Sequence, residues 1–139
     1  MAENPMLSLL YLSYSLLPDE TADHEVQNIV DTSVVSNKSA SLTGALIFTG
    51  VNFCQLLEGP EATVRRLMES IRIDTRHKDI WVVHEEALSD RRFGSWSMAY
   101  QGRSTFVSGH LMDLISASVE AERAKSVKLI ISMMEEFAK

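Results

Sequence analysis

The sequence predicts an α+β fold: a ferredoxin-like β-α-β-β-α-β-β sheet with two helices on one face and C-terminal helices covering the other. Three observations lead there. Short apolar runs bounded by Pro and Gly alternate with stretches of helical periodicity. Two of those runs are separated only by Gly50-Val51, a hairpin signal. The C-terminal stretch carries apolar residues at helical spacing.

Residues 7–14, rich in Leu and Tyr and bounded by Pro5 and Pro18, read as a buried strand. Pro18, Asp19 and Thr21 supply turn and N-cap chemistry for a helix over 23–37, with Val26, Ile29, Val30, Ser33 and Val34 on one face. A polar loop over 37–41 leads to strands at 42–49 and 52–58. Gly59-Pro60 ends the second of these, and Pro60 suits the first turn of a helix reaching about residue 74, with Val64, Leu67, Met68 and Ile71 inward. Strands follow at 80–87 and at 93–100, where apolar and small residues alternate. After a break at 102–105, helices are expected at 107–116 and 119–138. The second carries Val127, Ile130, Ile131, Met134 and Phe137 as its stripe. That stripe is expected to cover the free sheet face, with dimer or partner contact as a second use.

At 139 residues, 45% apolar and 23% charged, the chain has the profile of an ordinary globular protein. Its net charge of -6 argues against nucleic acid or an anionic membrane as partner. Arg65-Arg66 and Arg91-Arg92 sit among acids and read as solvated faces. Cys54 is the only cysteine, so no intrachain disulfide forms, and within an apolar run it reads as a small buried hydrophobe. The histidines and the lone cysteine have no metal-ligand spacing. With no signal-peptide pattern at the start and no stretch near the roughly 18 apolar residues of a membrane span, a cytoplasmic location is expected.

Three polar side chains fall where the pattern calls for core. Gln55 lies mid-strand with Phe53 and Leu57 on its face; buried, its amide needs partners. Tyr11 lies in the first strand, and Asn37 closes the first helix. Singly, these suit a bulge amide, a core aromatic and a helix C-cap. The first and third strands are neighbours at the centre of such a sheet, so Tyr11 and Gln55 can meet beneath the helix that Asn37 ends. Together the three can hold a flat heteroaromatic ring with donor and acceptor edges.

At these residues the sequence resembles the BLUF domain, a flavin-binding blue-light sensor, over residues 7–101. The resembling segments are Leu10-Tyr11-Leu12-Ser13, Ser36-Asn37 with Leu42-Thr43-Gly44, Phe53-Cys54-Gln55-Leu56-Leu57-Glu58-Gly59, Ile71-Arg72-Ile73-Asp74-Thr75-Arg76-His77 and Arg92-Phe93-Gly94-Ser95-Trp96-Ser97-Met98. The resemblance implies a BLUF domain over 1–102 and a helical extension over 103–139. It implies that Tyr11 donates an electron and proton to excited flavin, with Tyr14 the rival on the opposite strand face. Gln55 would bridge Tyr11 and the flavin N5/O4 edge and exchange its hydrogen bonds, by rotation or tautomerisation. Asn37 would hold the pyrimidine edge, with Ile29 and Ile71 on the ring faces and Phe53 nearby. Asp74, Arg76 and His77 would lie at the ribityl and phosphate end, His77 as a helix-end residue.

Trp96 and Met98 would relay the change, and either is a candidate neighbour of Gln55. The implied cofactor is FAD, with FMN or riboflavin as alternatives. The output would pass to a separate effector protein, with a homo-oligomer also in view, and the chain would not be an enzyme. The competing readings are a small ferredoxin-like flavin enzyme or hydrolase, and a cofactor-free dimerisation module. Against the enzyme, the chain lacks a Gly-rich phosphate loop and a nucleophile–base pair, and adjacent Glu85 and Glu86 point to opposite strand faces.

Overall fold

The computed structural model describes residues 6–94, 98–101 and 105–138. Within them the chain runs β1 (Met6–Ser15), α1 (Ala22–Ser39), β2 (Thr43–Phe48), β3 (Asn52–Pro60), α2 (Glu61–Ile73), β4 (His77–Leu88), β5 (Ala99–Gln101), α3 (Thr105–Ser116) and α4 (Glu120–Phe137). The sheet order is β4-β1-β3-β2-β5. The first four strands pair antiparallel, and β5 joins β2 in parallel.

Both faces of the sheet are covered, which is why β1 and β3 are nearly continuous apolar runs instead of clean alternations. Strand parity divides their side chains between two cores. Leu7, Leu9 and Tyr11 of β1 pack with Val26 and Val30 of α1 and Val64 and Met68 of α2. Leu10 and Leu12 turn the other way, onto Val107, Leu111 and Leu114 of α3 and Val127, Ile130, Ile131 and Met134 of α4. The C-terminal stripe therefore covers the free sheet face, with Met133 and Phe137 partly buried at its margin.

Two glycines are dictated by local geometry. Gly50 takes a φ of 95° in the β2–β3 hairpin, where the Thr49 hydroxyl accepts from the Asn52 amide at 3.0 Å. At Gly44 an added Cβ would lie 2.0 Å from the Leu56 carbonyl oxygen, so nothing larger fits that crossing of β2 and β3.

The structure corrects four expectations. The last strand is Ala99–Gln101, while residues 95–97 of the expected 93–100 lie outside the described residues. At the expected start the Arg92 and Phe93 amides are spent on the Glu58 carboxylate, and Gly94 turns with φ 50°, so no ladder forms at 93–94. Val34 is 38% exposed; the inward line of α1 is Val26, Val30 and Asn37. Arg91 and Arg92 are not a solvated face: Arg91 bonds Thr43, the Glu58 carbonyl and Ser41, and Arg92 bonds Glu86. His77 opens β4 instead of ending α2, which stops at Ile73 with Asp74 extended as its C-cap.

Candidate functional site

The β1–β3 register sets Tyr11 directly opposite Gln55. The Tyr11 hydroxyl donates to Gln55 Oε1 at 2.5 Å, and both residues are buried, at 4% and 8% exposure. Burial pushes the Tyr11 phenol well above its ordinary range, so it is a neutral donor at any physiological pH. With Oε1 accepting the phenol, the amide nitrogen points elsewhere: Gln55 Nε2 donates to Met98 Sδ at 3.8 Å, a weak acceptor. Met98 is thus the described neighbour of Gln55, while Trp96 lies outside the described residues. Tyr14 is half-buried and off the cavity.

Above this pair, between α1 and α2, is an open-ended cavity of about 250 Å³. Every residue expected at a binding site lines it. Ile29 and Asn37 come from α1, Ile71 from α2, Phe53 and Gln55 from β3, and Tyr11 from β1. Asp74, Arg76 and His77 line it at the α2–β4 corner. Arg76 forks onto Asp74, with Nε to Oδ1 at 2.9 Å and Nη2 to Oδ2 at 2.5 Å. These bonds hold the Asp74 carboxyl below the usual carboxylate range and raise Arg76 in turn.

His77 is held by two partners. Its Nε2 lies 2.8 Å from the Ile71 carbonyl, which only accepts, so Nε2 carries the proton. Nδ1, 2.7 Å from the Ser13 hydroxyl, then accepts from it in the neutral ring. So fixed, the ring stands edge-on to Tyr11 and Phe53, with centroids at 6.2 and 6.0 Å. Ser13 was missed in the sequence, although its parity with Tyr11 on one strand pointed to the same face. Ser33 and Leu67, on the helix faces expected to point inward, line the cavity together with Leu46.

The lining fits a flavin. Isoleucines from two helices suit the faces of a flat ring, the Gln55 and Asn37 amides suit its polar edges, and Arg76 at the rim suits an anionic tail. At about 250 Å³ the cavity is just under the usual range of about 300–1,000 Å³ for small-molecule sites. Cys54, its thiol pushed up to about 12 by burial, belongs to the other core. Glu85 bonds Arg65, and Glu86 bonds His84 and Arg92, so the two acids are divided. Among the described residues no group of His, Cys, Asp and Glu could hold a metal, and no helix is long and apolar enough to cross a membrane.

Comparison with known proteins agrees with this geometry. A family model described as BLUF, sensors of blue-light using FAD, matches residues 6–99. The structure of "BlrB - a BLUF protein, dark state structure" is 31% identical, covers 94% of this chain and 97% of its own, and superposes with a TM-score of 0.75. The blue light- and temperature-regulated antirepressor BluF of Escherichia coli (strain K12) is 32% identical over 67% of this chain and 23% of its own length. Photoactivated adenylate cyclase subunit alpha of Euglena gracilis is 33% identical over 67% of this chain and 9% of its own length. The chain therefore spans less than a quarter of those two relatives. A match of sequence over most of the chain, and of fold over nearly all of it, places this chain in the BLUF family of flavin-binding blue-light sensors.

Proposed function

We propose that light acts on this chain through the Tyr11–Gln55 pair, beneath a flavin held non-covalently between α1 and α2. The observation that carries the proposal is the buried phenol-to-amide hydrogen bond at the floor of the cavity. A bound flavin supplies blue-light absorption and a strongly oxidising excited state. Tyr11 is the residue that gives up an electron, and its hydroxyl proton has a recipient in direct contact, Gln55 Oε1 at 2.5 Å. When electron and proton return to Tyr11, the Gln55 amide is left with donor and acceptor exchanged, by rotation or as its tautomer. In a buried site that exchange alters every neighbouring bond.

Asn37 holds the pyrimidine edge, Ile29 and Ile71 enclose the ring faces, and Phe53 lies alongside. Asp74, Arg76 and His77 take the ribityl and phosphate end. The rim guanidinium of Arg76 favours a phosphorylated flavin over riboflavin; FAD is the choice, with FMN the alternative. Met98, and Trp96 with it, relays the change toward β5 and the C-terminal helices. The output goes to a separate effector protein, the chain itself being a cytoplasmic sensor and not an enzyme. A homo-oligomer through the exposed side of the C-terminal helices fits the same scheme.

The test is the purified protein. It should be yellow, release FAD on denaturation, and shift its flavin absorption to longer wavelength under blue light with recovery in darkness. A colourless protein that takes up no flavin would sink the reading.

A further inference from the structure

A second cavity, of about 490 Å³, lies between β4 and α4 and shares no lining residue with the first. That volume is within the range of small-molecule sites. Val83 of β4 and Val127 and Ile131 of α4 supply its apolar part, continuous with the core beneath α3 and α4.

Two guanidinium N–H groups of its lining are buried without an acceptor among the described residues, Arg92 Nη1 and Arg123 Nε. A guanidinium keeps its protons, so both are permanent donors, and leaving a buried donor unpaired is costly. The two are not equivalent. Arg92 is already neutralised, since Nη2 bonds Glu86 Oε1 at 2.7 Å and Glu135 Oε1 lies 3.8 Å from Nε. The other Glu86 oxygen is taken by His84 at 2.8 Å. What Arg92 Nη1 lacks is an acceptor, not a charge. Arg123 lacks both. Half-buried, it stands over the Trp81 ring at 5.2 Å, and no carboxylate pairs with it among the described residues.

The two donors stand toward opposite ends of the cavity. Trp81, beneath Arg123, and Glu86, bonded to Arg92, are separated by about 17 Å of strand. On α4, Arg123 and Glu135 are separated by about 18 Å of helix in the same direction. An occupant that satisfies both is therefore elongated.

We propose that this cavity binds an elongated monocarboxylate with an apolar body. The carboxylate forks onto the Nε edge of Arg123. The body lies along Val83, Val127 and Ile131, and a neutral acceptor at the far end, such as a hydroxyl, meets Arg92 Nη1. The lining sets the charge: Glu86, Glu120 and Glu135 offset Arg92, Arg123 and Lys128, so one added negative charge is matched and two are not. The site does not depend on the photochemistry.

The test is titration of the full chain with 8-hydroxyoctanoate, octanoate, octanol and octyl phosphate, followed by calorimetry and by the Arg123 Nε–H resonance. The hydroxy acid should bind one to one and move that resonance, with octanoate about three- to tenfold weaker for want of one neutral hydrogen bond. Octanol should bind at least about tenfold more weakly than octanoate, as a lost charge-assisted bond requires. Arg123→Gln should weaken both acids to the level of octanol, and Arg92→Lys should erase the advantage of the hydroxyl. An Arg123 resonance that stays still in wild type would overturn the proposal whether or not the variants fold. So would octanol binding as tightly as octanoate, octyl phosphate binding more tightly, or Arg123→Gln keeping wild-type affinity.

Discussion

Tyr11→Phe is the substitution with the most to say, because it removes one oxygen and leaves the ring. That oxygen is the donor to Gln55 Oε1 at 2.5 Å, and Gln55 is only 8% exposed, so its acceptor is left buried. An unpaired buried acceptor costs about 1–3 kcal/mol. For a chain of this size that lowers the melting temperature by about 3–10 °C. The ring still packs on His77 and the α1–α2 core, so the cavity and its affinity for flavin survive. The light-driven shift does not, because its electron and proton donor is gone. The assay is a thermal melt paired with light-minus-dark absorption of the flavin-loaded protein, with Tyr14→Phe as control. Retention of the shift in Tyr11→Phe, or its loss in Tyr14→Phe, would refute the donor assignment.

Three further outcomes follow from the same packing and hydrogen bonds. Because burial raises the Tyr11 phenol, its contribution to stability is complete below its unfolded value of about 10 and is lost as pH rises above it. Urea unfolding should therefore lose about 1 kcal/mol more between about pH 10 and 11 in wild type than in Tyr11→Phe; equal losses would contradict the burial of an ionisable phenol. Ser13→Ala removes the donor to His77 Nδ1 and frees a ring that lines the cavity, so flavin affinity should drop by about three- to tenfold; fluorescence titration giving wild-type affinity would mean that Ser13 does not set the ring. Gly44→Ala drives a Cβ to 2.0 Å from a backbone carbonyl and should destabilise by about 3 kcal/mol in chemical denaturation, whereas a neutral result would contradict the β2–β3 crossing.

Much of the site was legible because it depends on periodicity. A split β-α-β order puts the third strand beside the first, and parity then sends Tyr11, Phe53 and Gln55 to the helix-covered face, where the structure has them. The C-terminal stripe was equally readable, since helical spacing and a bare sheet face imply each other. What was hidden depends on partners distant in sequence. Glu58 reads as the polar end of a strand, and two of its carboxylate's donors are the distant Arg92 and Phe93 amides, so its burial could not be inferred locally. Alternation over 93–100 is a fair strand signal until its first amides are taken elsewhere. Arg91 reads as solvated for the same reason, since its acceptors are Thr43, Ser41 and the Glu58 carbonyl. Ser13 and His77 lie at opposite ends of the β1–β4 sequence and meet only through the sheet. Val34 was misplaced by a single helical step, with Asn37 taking the inward position further along.

The central claim is that light exchanges the donor and acceptor of Gln55 next to a bound flavin. The most direct measurement is the light-minus-dark infrared difference spectrum of the flavin-loaded chain, beside that of Gln55→Leu. Wild type should show the flavin C4=O stretch move to lower frequency as it gains a hydrogen bond, reverting in darkness, and Gln55→Leu should bind flavin without that change. An unmoved carbonyl band in wild type, or the same movement in Gln55→Leu, would contradict the account.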